Sequence, residues 1–493
     1  MLGVVTISVV SAEELANKKA LAFPEGFLWG AATSHFQVEG HPKEIAHRLS
    51  DWALWTAQSG RISDNTTADR ACEFYTRYED DIALIKELNL NAFRLSFNWP
   101  ALLSDETDGT SVHRALDPVQ VQYYRNLLSA LKAQGVTTFA TLFHFTLPEF
   151  LAAAGGWENP MVIEAFEHFS RLCAESFGDL VDYWITINEP LAYAYQSFIS
   201  GLWPPGKRGE YLSAFTVIRH MLEGHARAYH AIKSVNGASQ ISYTMHWRPF
   251  VPKNRLNPLD YVARFFRDYV FNHLFPEAVQ TGVLRFPFPL NYNPFVRKVA
   301  GRVDGLINTC DYLAINYYTR ELSQFKFIWP LDLFGERSDK AELDTNDMGW
   351  EIYPDGLFDL LTRDTLPYQK NGDGSKRPIV ITENGYAATF EAELTEGDWS
   401  LADQTRISYL TAHLKAIHRA IALGVDVRGY LYWSLLDNFE WAEGLRARFG
   451  LVRVTFSTQE RILRASARVY GEIARNNAVD PDILLAPSKN TLL

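Results

Sequence analysis

Eight times along this 493-residue chain, a short run rich in β-branched and aromatic residues gives way to a longer stretch whose apolar residues recur three and four apart. The short runs cover residues 27–34, 92–99, 137–144, 182–189, 241–247, 311–319, 378–384 and 427–435. Helical patterns follow at 78–89, 118–134, 161–177, 213–235, 259–279, 356–368, 404–423 and 466–475. Gly135 and Gly424 sit just past two of these patterns, and Pro118 and Pro160 stand at the start of two, where helices favour them. Strand, helix and parallel strand cross over right-handed, and eight such units close a barrel. The expected fold is α/β, a single (β/α)8 TIM barrel with long insertions at 36–77, 188–212 and 318–353. Each insertion follows a strand and so falls on the carboxyl-end face, where barrels carry their active sites. The alternation alone leaves an open doubly wound sheet in competition.

The length would also accommodate two or three domains of about 150 residues. No low-complexity tract, long Pro/Gly linker or short repeat divides the chain, however. The expected division is an N-terminal extension over 1–22, a barrel domain over 23–478 and a C-terminal tail over 479–493. Hydrophobic residues make up 47% and charged residues 21%, enough for a large core and too apolar for disorder. A formal net charge of −11, with its acids scattered, excludes a phosphate-tracking surface and hence a nucleic-acid partner. No stretch approaches the roughly 18 uninterrupted apolar residues of a membrane span. Residues 1–10 are apolar but lack Lys and Arg, so the chain reads as cytoplasmic, or as secreted or periplasmic if residues 1–12 are a clipped signal peptide. Cys72, Cys173 and Cys310 fit neither a disulfide framework nor a zinc spacing and read as reduced, buried thiols. Aromatic residues reach 14%; most are assigned to the core, although flat rings also suit the C–H faces of sugars.

On a barrel, chemistry is sought among polar residues at the carboxyl ends of strands. The third run ends Phe143-His144-Phe145, the fourth Asn188-Glu189-Pro190 and the seventh Thr382-Glu383-Asn384-Gly385. The sixth contains Asn316-Tyr317-Tyr318, and the eighth leads from Trp433 to Glu440-Trp441. Glu189 and Glu383 each end an otherwise apolar strand, where a carboxylate faces water or a ligand. Strands four and seven lie across a barrel mouth, so the two glutamates can flank one small molecule. Such a pair can bind a divalent metal, abstract a proton from carbon, cleave a glycosidic bond or form a structural ion pair. A metal would need more ligands, and no His-x-His or Glu-x-x-His constellation accompanies the pair. No metal and no cofactor is expected. The neighbours point to sugar chemistry: Asn188 and Asn316 for hydroxyls, Tyr318 to hold a carboxylate, Trp433 and Trp441 as stacking faces beside Glu440.

These blocks resemble family 1 glycoside hydrolases, the retaining β-glycosidases. The likeness runs from Phe23 to about Ala474 and includes Phe23-Pro24-Glu25-Gly26-Phe27-Leu28-Trp29-Gly30 and Gln37-Val38-Glu39-Gly40 near the start. The resemblance implies a β-glucosidase-type hydrolase acting on a small β-glucoside or oligosaccharide, with some β-galactoside or β-fucoside tolerance. It implies Glu189 as general acid/base and Glu383 as nucleophile, with carboxyls about 5–5.5 Å apart, Glu189 starting protonated and Glu383 ionised. It implies Arg94, Asn316 and Tyr318 as catalytic support, with Arg94 and Tyr318 favouring ionised Glu383. Asn188 would hold the 2-hydroxyl, and Gln37, His144, Trp433, Glu440, Trp441 and Phe449 would form the rest of the sugar subsite.

Three distinctions within the family follow. Glu189 stands where a thioglucosidase has Gln, both glutamates are present, and Glu440 would repel a 6-phosphate. Two departures bear on glycone preference and aglycone size. Phe145 replaces the indole of the family's His-Trp-Asp-Leu-Pro, which removes an N–H donor and enlarges the site, and Leu445 replaces an aromatic after Trp441-Ala442-Glu443-Gly444. Transfer of the glycosyl group to an alcohol or lipid acceptor is the alternative outcome of the same intermediate. A sugar-binding protein without hydrolysis is the reading that an intact glutamate pair argues against. The sequence carries no signal for an oligomeric state.

Overall fold

Eight parallel strands close on themselves: β1 (Leu28–Ala32), β2 (Ala92–Ser96), β3 (Thr137–Phe143), β4 (Tyr183–Asn188), β5 (Gln240–Trp247), β6 (Leu313–Tyr317), β7 (Ile379–Asn384) and β8 (Val427–Trp433). Each pairs with the next in chain order, and β8 returns to β1 with Tyr430 opposite Trp29. The computed structural model describes residues 20–480 apart from 44, 46–47, 105–111, 327–334, 338–342, 372–373 and 389–398. The signal-peptide reading, most of the N-terminal extension and most of the C-terminal tail lie outside the described residues. All eight expected strands are present, which excludes the open sheet.

The period of two along each strand sorts side chains between two apolar cores. Ala92, Phe139, Ile185, Ala314, Val380 and Leu431 fill the inside of the barrel. Phe93, Leu95, Trp184, Ile241, Ile315, Ile381 and Tyr430 point outward and pack under the helices. The crossover helices are α1 (Phe74–Glu87), α2 (Pro118–Ala133), α3 (Met161–Phe177), α4 (Tyr211–Val235), α5 (Pro258–Asp268), α6 (Pro354–Asp359), α7 (Trp399–Ala422) and α8 (Ala465–Asn476). Two differ from the simple periodic reading: α5 and α6 run on through wider turns at Tyr269–His273 and Leu360–Asp364. A wider turn rotates the faces that follow, and this is how Phe271 comes to face the carboxyl-end cavity. Helix α1 starts four residues before the pattern suggested, because buried Phe74 already belongs to the core.

The segment after β8 is held by one buried carboxylate. Both oxygens of Asp437 accept from Arg464, at 3.1 and 2.9 Å, and also from the backbone N–H groups of Gly450 and Val454. This pins the stretch that carries Glu440 and Trp441 over the barrel mouth. All three cysteines are free and buried, as expected. Leu21–Ala22 pairs antiparallel with Ala478–Val479. Among the described residues no helix is long and apolar enough to cross a membrane.

Candidate active site

Glu189 and Glu383 reach the barrel mouth by different local devices. Asn188 closes β4, and Glu189 then turns into the left-handed region at φ 44°, where its N–H donates to the Thr244 carbonyl at 2.8 Å. Pro190, with its fixed φ, starts the short helix Pro190–Ala194 that fixes the turn. Glu383 lies within β7, where the register shifts against β8 between Ile381 and Asn384. Gly385 follows because a side-chain carbon there would run into the Trp433 carbonyl.

One hydrogen-bonded chain ties the two carboxyl groups together. Tyr318 donates to Glu383 Oε2 at 2.7 Å, and Arg94 Nη1 donates to Glu383 Oε1 at 2.5 Å. The other arm of Arg94 donates to Asn188 Oδ1 at 2.6 Å. Asn316 Nδ2 donates to Glu189 Oε1 at 2.7 Å and to Asn188 Oδ1 at 3.3 Å, while its own Oδ1 accepts from Thr382 at 2.8 Å. His246 Nδ1 lies 3.5 Å from Glu189 Oε2. Every member is buried.

The sugar-subsite residues gather on the neighbouring wall. Gln37 Nε2 donates to Glu440 Oε2 and to Asn438 Oδ1, both at 3.2 Å, and Gln37 Oε1 accepts from Ser34. His144 stacks near Trp433 and Trp441, with centroids 6.0 and 6.1 Å apart, and lies 3.3 Å from Asn188. Its Nδ1 is buried with no protein partner. His144, Asn188, Trp433, Glu440, Trp441 and Phe449 line one cavity of about 530 Å³ that also contains both glutamates, and Gln37 stands behind Glu440, which it holds. Phe145 lines the cavity too, with Trp203 packed against it at 4.6 Å in the space beside the smaller ring. Leu445 lies half-buried against the core, its N–H held by Asp64.

Two buried carboxyls, Glu189 and Glu383, share the influence of one guanidinium, with the half-buried Glu440 close by. Burial pushes Glu440 up to about 8, and the Glu383 charge adds to it against a Trp433 hydrogen bond. Burial also pushes Glu383 up to about 7, opposed by Arg94 and Tyr318 and reinforced by Glu189. Burial lifts Glu189 as well, yet His246, Asn316 and Arg94 outweigh it and hold this carboxyl below its ordinary range. These directions run opposite to the protonation expected from sequence, and His246 is the reason. Burial draws His246 itself below its ordinary value, against the pull of Glu189. His144 is held far below the usual imidazole range by burial and by Arg94, which makes it a neutral ring.

Eleven of the twelve site residues expected from sequence meet at this one cavity or in the hydrogen-bonded chain beneath it, and the twelfth, Gln37, is joined to the cavity through its hydrogen bond to Glu440. Arg94 lies in the middle of β2, below the strand ends that carry the other side chains. Sequence reasoning missed His246, Thr382, Trp203 and Asn438. His246 carried the same signal as the others, a polar residue at the carboxyl end of a barrel strand, here β5.

A closed parallel barrel whose fourth and seventh strands deliver a buried carboxyl pair beside aromatic and hydrogen-bonding side chains has the architecture of the glycoside-hydrolase class of barrel enzymes. Within that class, the family description "Glycosyl hydrolase family 1" matches residues 19–479, and the chain belongs to this family. It is 34% identical over 467 residues to beta-glucosidase A of Thermotoga maritima, covering 93% of this chain and 99% of that one. It is 31% identical to the human cytosolic beta-glucosidase, again over 93% of this chain and 99% of the relative. Among solved structures, a Thermotoga maritima family 1 β-glucosidase superposes with a TM-score of 0.82 at 31% identity, covering 94% of this chain and all of that one. The Thermotoga maritima enzyme in complex with glucoimidazole gives a TM-score of 0.81 at 32% identity, covering 93% of this chain and 99% of that one.

Proposed function

We propose that this chain is a retaining β-glucosidase that hydrolyses terminal non-reducing β-D-glucosyl residues of small β-glycosides, with Glu383 as nucleophile and Glu189 as acid and then base. The observation that carries this reading is the hydrogen-bonded chain Tyr318–Glu383–Arg94–Asn188–Asn316–Glu189. It draws both carboxyls to one cluster, which suits direct attack better than attack through an intervening water. The relatives named as beta-glucosidases favour a glucosyl substrate. A Thermotoga maritima structure in complex with galacto-hydroximolactam favours some galactoside tolerance.

The chemistry proceeds in two displacements. A Glu383 oxygen attacks the anomeric carbon while Glu189 gives its proton to the glycosidic oxygen; the bond to the leaving group breaks, and an alcohol departs. Glu383 is then a neutral ester, so its charge no longer raises Glu189, which ionises and takes a proton from water. The water oxygen attacks the anomeric carbon, the ester bond breaks, and β-glucose leaves. For the first step the shared proton must reside on Glu189. Neutral His246 allows this, because Glu383 keeps a guanidinium contact at 2.5 Å whereas Glu189 loses its strongest counter-charge. Asn188 suits the 2-hydroxyl, where a bond that strengthens in the transition state adds to rate. Gln37 and Glu440 suit the distal hydroxyls, and Trp433 the sugar face.

Proton NMR of an aryl β-glucoside during the first minutes of turnover tests the reading. The β-anomer of glucose appears first and mutarotates later; α-glucose first would exclude retention. His246→Leu probes the proton balance. Removing the imidazole takes away an influence that lowers Glu189, so Glu189 rises and holds its proton to higher pH. The basic limb of kcat/KM therefore moves up, and a limb that stays put or moves down would separate His246 from the acid.

A further inference from the structure

The turn that carries His144 into the cavity is bent at Phe145, whose φ of 73° lies in the left-handed region. A bulky residue stays there only where its surroundings impose it. Two neighbours do so here. Leu147 N–H donates to Asp51 Oδ1 at 2.9 Å, and the Leu147 carbonyl accepts from the Asp51 N–H at 3.0 Å. Nearer the bend, Thr146 Oγ1 lies 2.8 Å from His35 Nε2. The other ring nitrogen, Nδ1, lies 2.8 Å from Ser96 Oγ at the end of β2, and the His35 backbone N–H donates to the same oxygen at 2.8 Å. His35, Ser96 and Thr146 are all buried.

Hydrogen counting fixes where the ring carries its proton. Burial draws His35 down to about 3, so the ring is neutral and has a single N–H. Among the described residues the Ser96 hydroxyl has no acceptor other than Nδ1, so it donates there and leaves the ring proton on Nε2, aimed at Thr146. The ring therefore joins two walls of the site. It belongs to the short helix His35–Val38 after β1, whose Gln37 reaches Glu440 and Asn438, and it holds the turn after β3 that presents His144. His35 does not itself line the cavity.

We propose that His35 is a positioning residue for the glucosyl subsite: its bond to Thr146 sets the spacing between the Gln37 segment and the His144 turn, and through that spacing the preference for the glycone. This rests on the β-glucosidase reading above and deepens it. Groups on two walls tell one epimer from another only while their separation is fixed, and slack costs the better-fitting substrate more.

The test compares wild type with His35→Ala, His35→Gln, Thr146→Val and the double variant His35→Ala/Thr146→Val on 4-nitrophenyl β-D-glucoside and β-D-galactoside. His35→Ala lowers kcat/KM on the glucoside by about 10- to 100-fold, the scale of a small displacement made at a distance from the chemistry. The galactoside loses less, so the glucoside-to-galactoside ratio falls at least about threefold. Both pH limbs of kcat/KM stay in place, unlike the shift expected of His246→Leu, because a neutral ring exchanges no proton with the site. His35→Gln, whose amide N–H can donate to Thr146, returns kcat/KM to within about threefold of wild type. Thr146→Val keeps the shape without the hydroxyl and reproduces part of the loss, and adding it to His35→Ala costs nothing further, as one shared bond requires. The Asp51–Leu147 pair stays in every variant, and circular dichroism verifies folding. A lower melting temperature with an unchanged glycone ratio in His35→Ala, additive losses in the double variant, or a glutamine no better than alanine overturns the proposal while wild-type turnover leaves the glucosidase reading standing. A wild type that turns over neither glycoside overturns both.

Discussion

Glu383→Gly lowers kcat on an aryl β-glucoside by at least about 10⁴-fold, the scale on which enzymes lose turnover when a covalent nucleophile is removed. The loss is large because no neighbour can substitute. Arg94 and Tyr318 are donors aimed at the missing carboxylate, and Glu189 stands on the other strand as the acid. The stereochemistry of rescue makes the result decisive. Removing the side chain leaves space on the α face of the sugar, so added azide attacks there and yields an α-glucosyl azide. Glycine takes the counter-charge from buried Arg94 but leaves its other arm hydrogen-bonded to Asn188, so circular dichroism alongside the assay checks that the variant is folded. Turnover within tenfold of wild type, or azide product in the β configuration, would remove Glu383 from the proposed role.

The fold was legible because its signal is redundant. Each strand is short, apolar and rich in β-branched or aromatic residues, and each helix repeats its apolar residues at the right period, so an error in one unit leaves the other seven intact. Boundaries moved where tertiary contacts overrode local pattern, as at Phe74, whose burial extends α1 back into what read as an insertion. The carboxyl pair was legible because a glutamate that ends an apolar strand needs a reason. His246 carried the same positional signal at the end of β5, yet Met245 and Trp247 on either side make it look like a core histidine satisfied by its surroundings. The charged pair Arg267–Glu321 at the cavity wall was beyond reach for a different reason. Arg267 and Glu321 lie 54 residues apart and meet only when the small sheet of Phe250–Pro252, Glu321–Phe325 and Gly335–Arg337 forms at the barrel mouth. Insertions are where such contacts are made, and no period in the sequence encodes them.

Glu189→Gln has an effect that depends on what is leaving. With an alkyl β-glucoside, whose alcohol cannot depart unprotonated, kcat/KM falls by about 10²–10⁴-fold, the range ascribed to a positioned general acid. With 4-nitrophenyl β-glucoside the phenolate leaves without a proton, so the first step is slowed less, and the second, which needs Glu189 as base, becomes limiting. Rapid mixing then shows a burst of nitrophenolate followed by slow turnover as the glycosyl-enzyme accumulates. Azide, which needs no base, opens that intermediate from the face the aglycone left and gives a β-glucosyl azide, the anomer opposite to the Glu383→Gly product. The pH profile changes with it. In wild type, activity is lost as pH rises through the value at which Glu189 gives up its proton, so replacing the carboxyl by an amide removes that basic limb. Asn316, which donates to Glu189 Oε1 at 2.7 Å, can make the same bond to the glutamine carbonyl, so the variant changes the proton and not the position. Equal losses on alkyl and aryl glucosides, no burst and an unchanged basic limb would together place the acid elsewhere, because the leaving group's own acidity is what distinguishes a proton donor from a residue that only shapes the pocket.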